Sequence, residues 1–287
     1  MKIRPATIKM ATIALCLAAA AGAASAQTAP AAAPEASPIT ANISLTTNYK
    51  FRGQDQDAIG NNGYYKTKAL KPAIQGGFDY AHESGFYVGN WNSSVNWLSG
   101  NSIESDIYGG YKFKAGPFDL DFGALTYIYP GNRNGNTTEL YGAATWSDDA
   151  IGSFTVKYSS TVSKDYFGFA SNRTTGWKGR GTGYLNVSYS KAVLPNLTLK
   201  AAVGYTHLSS DIRRNTPYKS YVDYNVGATY DFGGGLSLTG AIVGANKKDA
   251  YQATTAVYDY SAIGLGTFTY SESPNKARFI ATLTKTF

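Results

Sequence analysis

The stretch Arg278-Phe279-Ile280-Ala281-Thr282-Leu283-Thr284-Lys285-Thr286-Phe287 decides how the chain reads. Phe279, Ala281, Leu283 and Phe287 share one face of an extended strand, and Arg278, Thr282, Thr284 and Thr286 take the other, because successive side chains of a strand point to opposite faces. A strand that is apolar on one side, polar on the other and ends on an aromatic residue predicts the closing strand of a transmembrane β-barrel. Only closed barrels let strands cross lipid, since an open edge leaves backbone N–H and C=O groups unpaired. The same strand would present Phe287 to the barrel-assembly machinery.

Working outward, period-two alternation recurs from Thr40 onward. Ala41, Ile43, Leu45, Thr47, Tyr49 and Phe51 oppose Asn42, Ser44, Thr46, Asn48, Lys50 and Arg52. Phe118, Leu120, Phe122, Ala124 and Ile128 oppose Asp119, Asp121 and Tyr127, and Val222, Tyr224, Val226, Ala228, Tyr230 and Phe232 oppose Asp223, Asn225, Thr229 and Asp231. Twelve strands are predicted: 40–52, 73–82, 86–97, 102–114, 118–129, 138–147, 151–160, 181–190, 197–208, 220–232, 236–245 and 276–287. The count becomes fourteen if 250–271 holds a further pair. Connections after even strands are tight, such as Ala115-Gly116-Pro117 and Gly233-Gly234-Gly235, while 53–72, 161–180 and 246–275 are long. Short turns on one side and long loops on the other are the pattern of an all-β, antiparallel, up-and-down outer-membrane barrel.

A half-buried soluble sheet has the same period. Its polar face, however, carries many Lys and Glu, whereas here the apolar face bears aromatics near strand ends: Tyr49, Phe51, Phe78, Tyr80, Phe113, Phe118, Tyr189 and Phe232. Those positions suit interfacial girdles.

The amino terminus supports export. Lys2, Arg4 and Lys9 precede the apolar stretch Met10–Ala21, and Ala24-Ser25-Ala26 is a small-residue cleavage site, so residues 1–26 read as a Sec-type signal cut near Ala26. Its loss takes three basic residues and no acid, lowering the formal net charge from +7 to +4. So modest a charge on an exported chain argues against nucleic-acid binding. Cys16 leaves with the signal, which excludes disulfides and thiolate chemistry from the mature chain. Residues 27–38 are Ala/Pro-rich and read as a flexible segment ahead of a single barrel domain over 39–287.

At Asn48-Tyr49-Lys50-Phe51-Arg52-Gly53, Pro72-Ala73-Ile74-Gln75-Gly76-Gly77-Phe78-Asp79-Tyr80 and Ser84-Gly85-Phe86-Tyr87-Val88-Gly89-Asn90-Trp91, the chain resembles the TorF-like porins of proteobacteria. Glu104-Ser105-Asp106-Ile107-Tyr108-Gly109-Gly110-Tyr111 fits the same pattern, so the likeness covers about the first third of the mature chain. It implies an outer-membrane barrel that forms a pore, and it supplies no substrate and no functional residues.

A barrel of twelve strands lies between one filled by its own side chains and one with a wide aqueous channel, so a narrow pore for small solutes and a plugged structural or adhesive barrel both fit. Alternation turns Lys50, Arg52, Glu104, Asp106, Lys112, Asp119, Asp121, Glu139, Lys157, Lys200, Asp223, Asp231 and Arg278 inward, either to tune selectivity or to pair across the lumen. The outer connections 52–72, 130–137, 161–181, 209–219 and 246–275 hold 14 basic and 7 acidic residues. Arg173, Lys178, Arg180, Arg213, Arg214 and Lys219 form a basic outer rim, suited to steering anions or to contacting lipid and lipopolysaccharide phosphates.

An enzymatic reading rests on His207 and Ser209, which alternation puts on one lipid-facing side, a His-x-Ser pair resembling outer-membrane phospholipase A. The following Ser210-Asp211 departs from that family's Asn-Gly, and no orienting partner is evident. Two histidines and no mature cysteine give no ordinary zinc ligand set. Asp55 and Asp57 lack the further oxygen ligands that calcium needs. No cofactor is expected.

Overall fold

The structure, a computed structural model, describes residues 37–57, 70–171, 173–259 and 261–287. The predicted signal and most of the Ala/Pro-rich segment therefore lie outside the described residues, as does 58–69 of the first long loop.

Twelve strands close into one antiparallel barrel. In chain order they are β1 (Ile39–Thr46), β4 (Ala73–Ala81), β5 (Phe86–Ser94), β6 (Ile103–Ala115), β7 (Phe118–Ile128), β8 (Thr137–Asp148), β9 (Gly152–Thr161), β10 (Gly183–Leu194), β11 (Leu197–His207), β12 (Tyr221–Gly233), β13 (Leu236–Ala245) and β16 (Arg278–Thr286). Two short hairpins stand apart from the barrel: β2 (Lys50–Phe51) with β3 (Gln54–Asp55), and β14 (Ala253–Asp259) with β15 (Thr267–Glu272). The pair suspected in 250–271 is real, but it extends a long loop and does not enter the barrel, so the fourteen-strand alternative falls.

The seam is made by β16, Arg278–Thr286, pairing antiparallel with β1. Leu45 pairs with Leu283 and Ser44 with Thr284, and the two hydroxyls lie 2.8 Å apart. The Phe287 N–H donates to the Ala41 carbonyl at 2.9 Å. Every strand thus has two neighbours, and no edge is left.

The outer surface is apolar, with Ile43, Phe78, Phe118, Phe122, Val226, Phe232 and Phe279 all exposed. Exposed apolar side chains in a continuous belt are stable only against lipid. The connections alternate as expected, with tight turns such as Gly116–Pro117 and Gly234–Gly235 at one end and long loops at the other.

One strand prediction fails at its end. β1 stops at Thr46, six residues short of Arg52, and the chain turns into the barrel. Arg52 and Gly53 both have positive φ, +46° and +76°, which gives the tight primed turn whose twist matches a two-residue hairpin. Tyr49 and Phe51, assigned to a lipid-facing girdle, are instead 3% and 8% exposed inside the lumen. An inward hairpin keeps the same period of two as a wall strand, so alternation alone could not separate them.

Candidate functional site

The β2–β3 hairpin crosses the bore and is tied to opposite walls. On one side Lys50 Nζ lies 3.0 Å from Asp55 Oδ1 and donates to the Pro274 carbonyl at 2.7 Å. Arg278 Nε reaches the other Asp55 oxygen at 3.1 Å, so Asp55 is held between two cations and the calcium reading of Asp55 and Asp57 has no ground. Asp57 itself pairs with Lys71 at 3.2 Å. The hairpin lies outside the spanning strands, and its burial pushes the Lys50 ammonium down to about 8 against the pull of Asp55.

On the far side Arg52 Nη2 donates to Glu139 Oε2 at 2.6 Å. The Arg52 guanidinium also lies over the Tyr184 ring, 4.1 Å from its centroid, an arrangement that favours a cation. Tyr49 donates to Glu104 Oε1 at 2.7 Å, and the Tyr129 hydroxyl donates to the other Glu104 oxygen. Phe51 packs edge-on against Tyr127 at 5.4 Å and meets Phe167 at a tilt at 5.3 Å. Phe167 belongs to the β9–β10 loop, which therefore also turns inward over the hairpin. Gly53 makes the fit: a Cβ there would meet the Gly244 carbonyl oxygen at 2.6 Å and the Asp223 Cβ at 2.8 Å.

The hairpin separates two spaces. Below it, towards the short turns, a cavity of about 120 Å³ has Tyr49 and Lys50 as its ceiling and Ser44, Thr239, Thr282 and Thr284 among its walls. Above it, among the long loops, a vestibule of about 470 Å³ has Phe51 and Gln54–Gln56 in its floor. Trp97, Phe169, Trp177 and Tyr218 line that vestibule with part of their surface open, backed by buried Tyr166 and Tyr251. Burial raises the Tyr166 hydroxyl to about 12.

Of the predicted inward residues, Lys50 and Arg52 reach the lumen on the hairpin and the others from the wall. Glu104, Asp106 and Glu139 lie beside the hairpin near the long-loop ends of β6 and β8, each at most 2% exposed. Asp106 Oδ1 and Lys200 Nζ have no hydrogen-bond partner among the described residues. Lys157 sits over the Tyr141 ring at 3.9 Å and Lys112 over Tyr87 at 4.5 Å, while Tyr87 donates to Asp121 at 2.6 Å. Tyr184 donates to Asp223 at 3.1 Å. Asp119 pairs with Lys114 at the short-turn mouth, and Asp231 accepts from the Gly233 N–H in a turn.

Inward glycines give the tyrosines of this wall their seats. A Cβ at Gly89 would meet the Tyr108 ring at 2.6 Å, and one at Gly204 would strike the Tyr184 hydroxyl at 2.2 Å. These rings therefore lie flat over neighbouring strands.

The rim residues Arg173, Lys178, Arg180, Arg213, Arg214 and Lys219 are all exposed on the β9–β10 and β11–β12 loops. The supposed His-x-Ser pair is divided. His207 is exposed on the outward face, but the strand ends there and Ser209 turns in, 6% exposed, to cap the helix α1 (Ser210–Asn215). Its hydroxyl accepts from the Ile212 N–H at 3.3 Å and donates to the Lys178 carbonyl at 2.8 Å. Sequence reasoning placed both on one face by extending the period past the last strand residue. It also missed the vestibule aromatics, whose sole signal is the density of Trp, Tyr and Phe within irregular loops.

Residues 29–273 match the Gcw_chp family, described as a bacterial protein of unknown function. No curated protein matches the chain. Among solved structures the chain is similar to the KdgM porin, at 10% identity and TM-score 0.51, covering 86% of this chain and 99% of that one. It is equally similar to the NanC porin, at 10% identity and TM-score 0.51, covering 87% and 98%. Likeness at this level of identity concerns the fold: the barrel is porin-like.

Proposed function

Since the chain belongs to the Gcw_chp family, bacterial proteins of unknown function, its own geometry must carry the reading, and we propose an outer-membrane pore for small solutes, constricted by its inward hairpin. The observation that carries this is the pair of spaces, about 120 Å³ and about 470 Å³, on the two sides of one β2–β3 hairpin. A barrel that served only as a scaffold gains nothing from open space on both sides of an inward hairpin, whereas a pore needs such a path and a narrow point to discriminate. The resemblance to TorF-like porins supports the same reading.

In this reading the signal is removed near Ala26 after export, and Phe287 presents the last strand to the barrel-assembly machinery. The long loops then face outward, where Arg173, Lys178, Arg180, Arg213, Arg214 and Lys219 meet lipopolysaccharide phosphates. The lipase alternative has no support in this reading, because Ser209 serves a helix end and His207 lies on the opposite side of the wall.

Purified protein in a planar bilayer should give small discrete conductance steps. A variant with residues 48–55 replaced by a Gly/Ser linker should give larger ones. Silence from both, with folded protein inserted, would leave a structural or adhesive barrel.

A further inference from the structure

We infer that the outer vestibule is a binding site for an uncharged saccharide, an inference that names the solute class of the pore reading and rests on it. Half of the lining residues of this space of about 470 Å³ are aromatic, and one, Asp55, carries a charge. That charge is already satisfied by Lys50 at 3.0 Å and Arg278 at 3.1 Å, so among the described lining residues none is free to neutralise an ionic ligand.

The rings come from three different loops and leave faces open. Trp97 belongs to the β5–β6 loop, Phe169 and Trp177 to the β9–β10 loop, and Tyr218 to the β11–β12 loop. They are held rather than collapsed: Phe169 meets Tyr218 edge-on at 4.6 Å, Tyr218 stacks on Tyr251 at 5.1 Å, and Trp97 stands perpendicular to Tyr129 at 5.1 Å. Pre-set aromatic faces in a concave site suit a ring with an apolar face.

A second observation selects a polyhydroxyl ligand over a plain aromatic one. The Trp97 Nε1–H is buried and has no acceptor among the described residues. A buried indole donor ordinarily finds a partner. Gln56 and Gln252 bring amide groups to the same space. Apolar faces with polar groups beside them match a sugar ring, whose C–H groups form one surface and whose hydroxyls form the edge.

The test titrates detergent-solubilised full-length mature protein with neutral α- and β-linked trisaccharides of glucose, galactose and mannose, then with trigalacturonate and with benzoate. Tryptophan fluorescence and calorimetry are read together. Saturable binding of at least one neutral trisaccharide, tighter than trigalacturonate or benzoate by tenfold or more, is expected. Trp177→Ala and Tyr218→Ala should each weaken it about tenfold. Trp97→Phe, which keeps a ring and deletes the donor, should weaken the sugar and leave benzoate unchanged. No saturable binding by any neutral trisaccharide, or tighter binding of trigalacturonate or benzoate, would overturn the inference. Conductance steps without sugar binding would spare the pore and sink the site, whereas sugar binding to a silent barrel would sink the pore and spare the site.

Discussion

Arg52 and Glu139 meet in the middle of the barrel, 2.6 Å apart, although one comes from the hairpin after the first strand and the other from the wall strand β8. The two are 7% and 1% exposed, so neither has water to fall back on. This bond pins the free end of the hairpin to the far wall and makes the constriction a latch across the bore.

Breaking the latch from one side should open the bore. Arg52→Ala strands Glu139 as a buried lone charge, a change that typically costs about 3–5 kcal/mol. Here the cost falls on hairpin docking, because the barrel ladders do not depend on it. Single-channel conductance should rise, and protease should nick the hairpin from the long-loop side. The double variant Arg52→Met with Glu139→Leu, which removes both charges, should restore much of the closure.

Gly53 should be equally intolerant for a different reason. Its φ of +76° strains any other residue by about 1–3 kcal/mol, and a Cβ would strike the Gly244 carbonyl oxygen. Gly53→Val is expected to reproduce the open conductance of Arg52→Ala while the barrel stays heat-modifiable. Wild-type conductance from this variant would mean that the hairpin does not limit flow.

The pH response follows from Lys50. Docked, its ammonium is pushed down to about 8, whereas undocked it titrates near the ordinary 10.4 or so. The undocked hairpin therefore binds more protons between those values, and docking strengthens as pH rises through that window. The gain is complete above the undocked value and lost as pH falls through about 8. Conductance should fall from pH 8 to pH 10, and Lys50→Met should flatten that step. A conductance that climbs over the same range would contradict the assigned burial of Lys50 beside Asp55, Arg278 and Glu272.

Ser209→Ala tests the lipid-hydrolysis idea against the capping role. Loss of an N-cap costs about 0.5–2 kcal/mol, felt in the short helix of the β11–β12 loop. Vesicles should release no fatty acid above background with wild type or variant. Proteolysis of that loop should quicken in the variant alone.

Most of the wall was legible because each spanning strand carries its own two-sided pattern, and the tight turns punctuate it. Phe118 to Ile128 against Asp119 to Tyr127 needed no partner to be read correctly. What lay beyond reach were features defined across the lumen. Tyr49 and Phe51 keep the alternation of β1 but belong to an inward hairpin that closes at two positive-φ residues, Arg52 and Gly53. Ser209 looked like a continuation of β11 until the chain stopped being a strand. Trp97, Phe169, Trp177 and Tyr218 have no shared period, since only the convergence of loops brings them to one space. Lys50 and Arg52 were assigned to the lumen by parity and arrived there by an unforeseen route.

The glycines beneath Tyr108 and Tyr184 have a consequence for how such a protein can change over generations. Each lets one phenol recline against the staves, and at Gly89 and Gly204 the nearest obstacles to a methyl group are side chains rather than backbone. Adding a single carbon there would tip a ring towards the axis and narrow the passage without altering the surface that lipid touches. Because inward and outward positions alternate, calibre and membrane fit are inherited separately, so a lineage could retune what it admits through such single-carbon steps while its anchorage stays fixed.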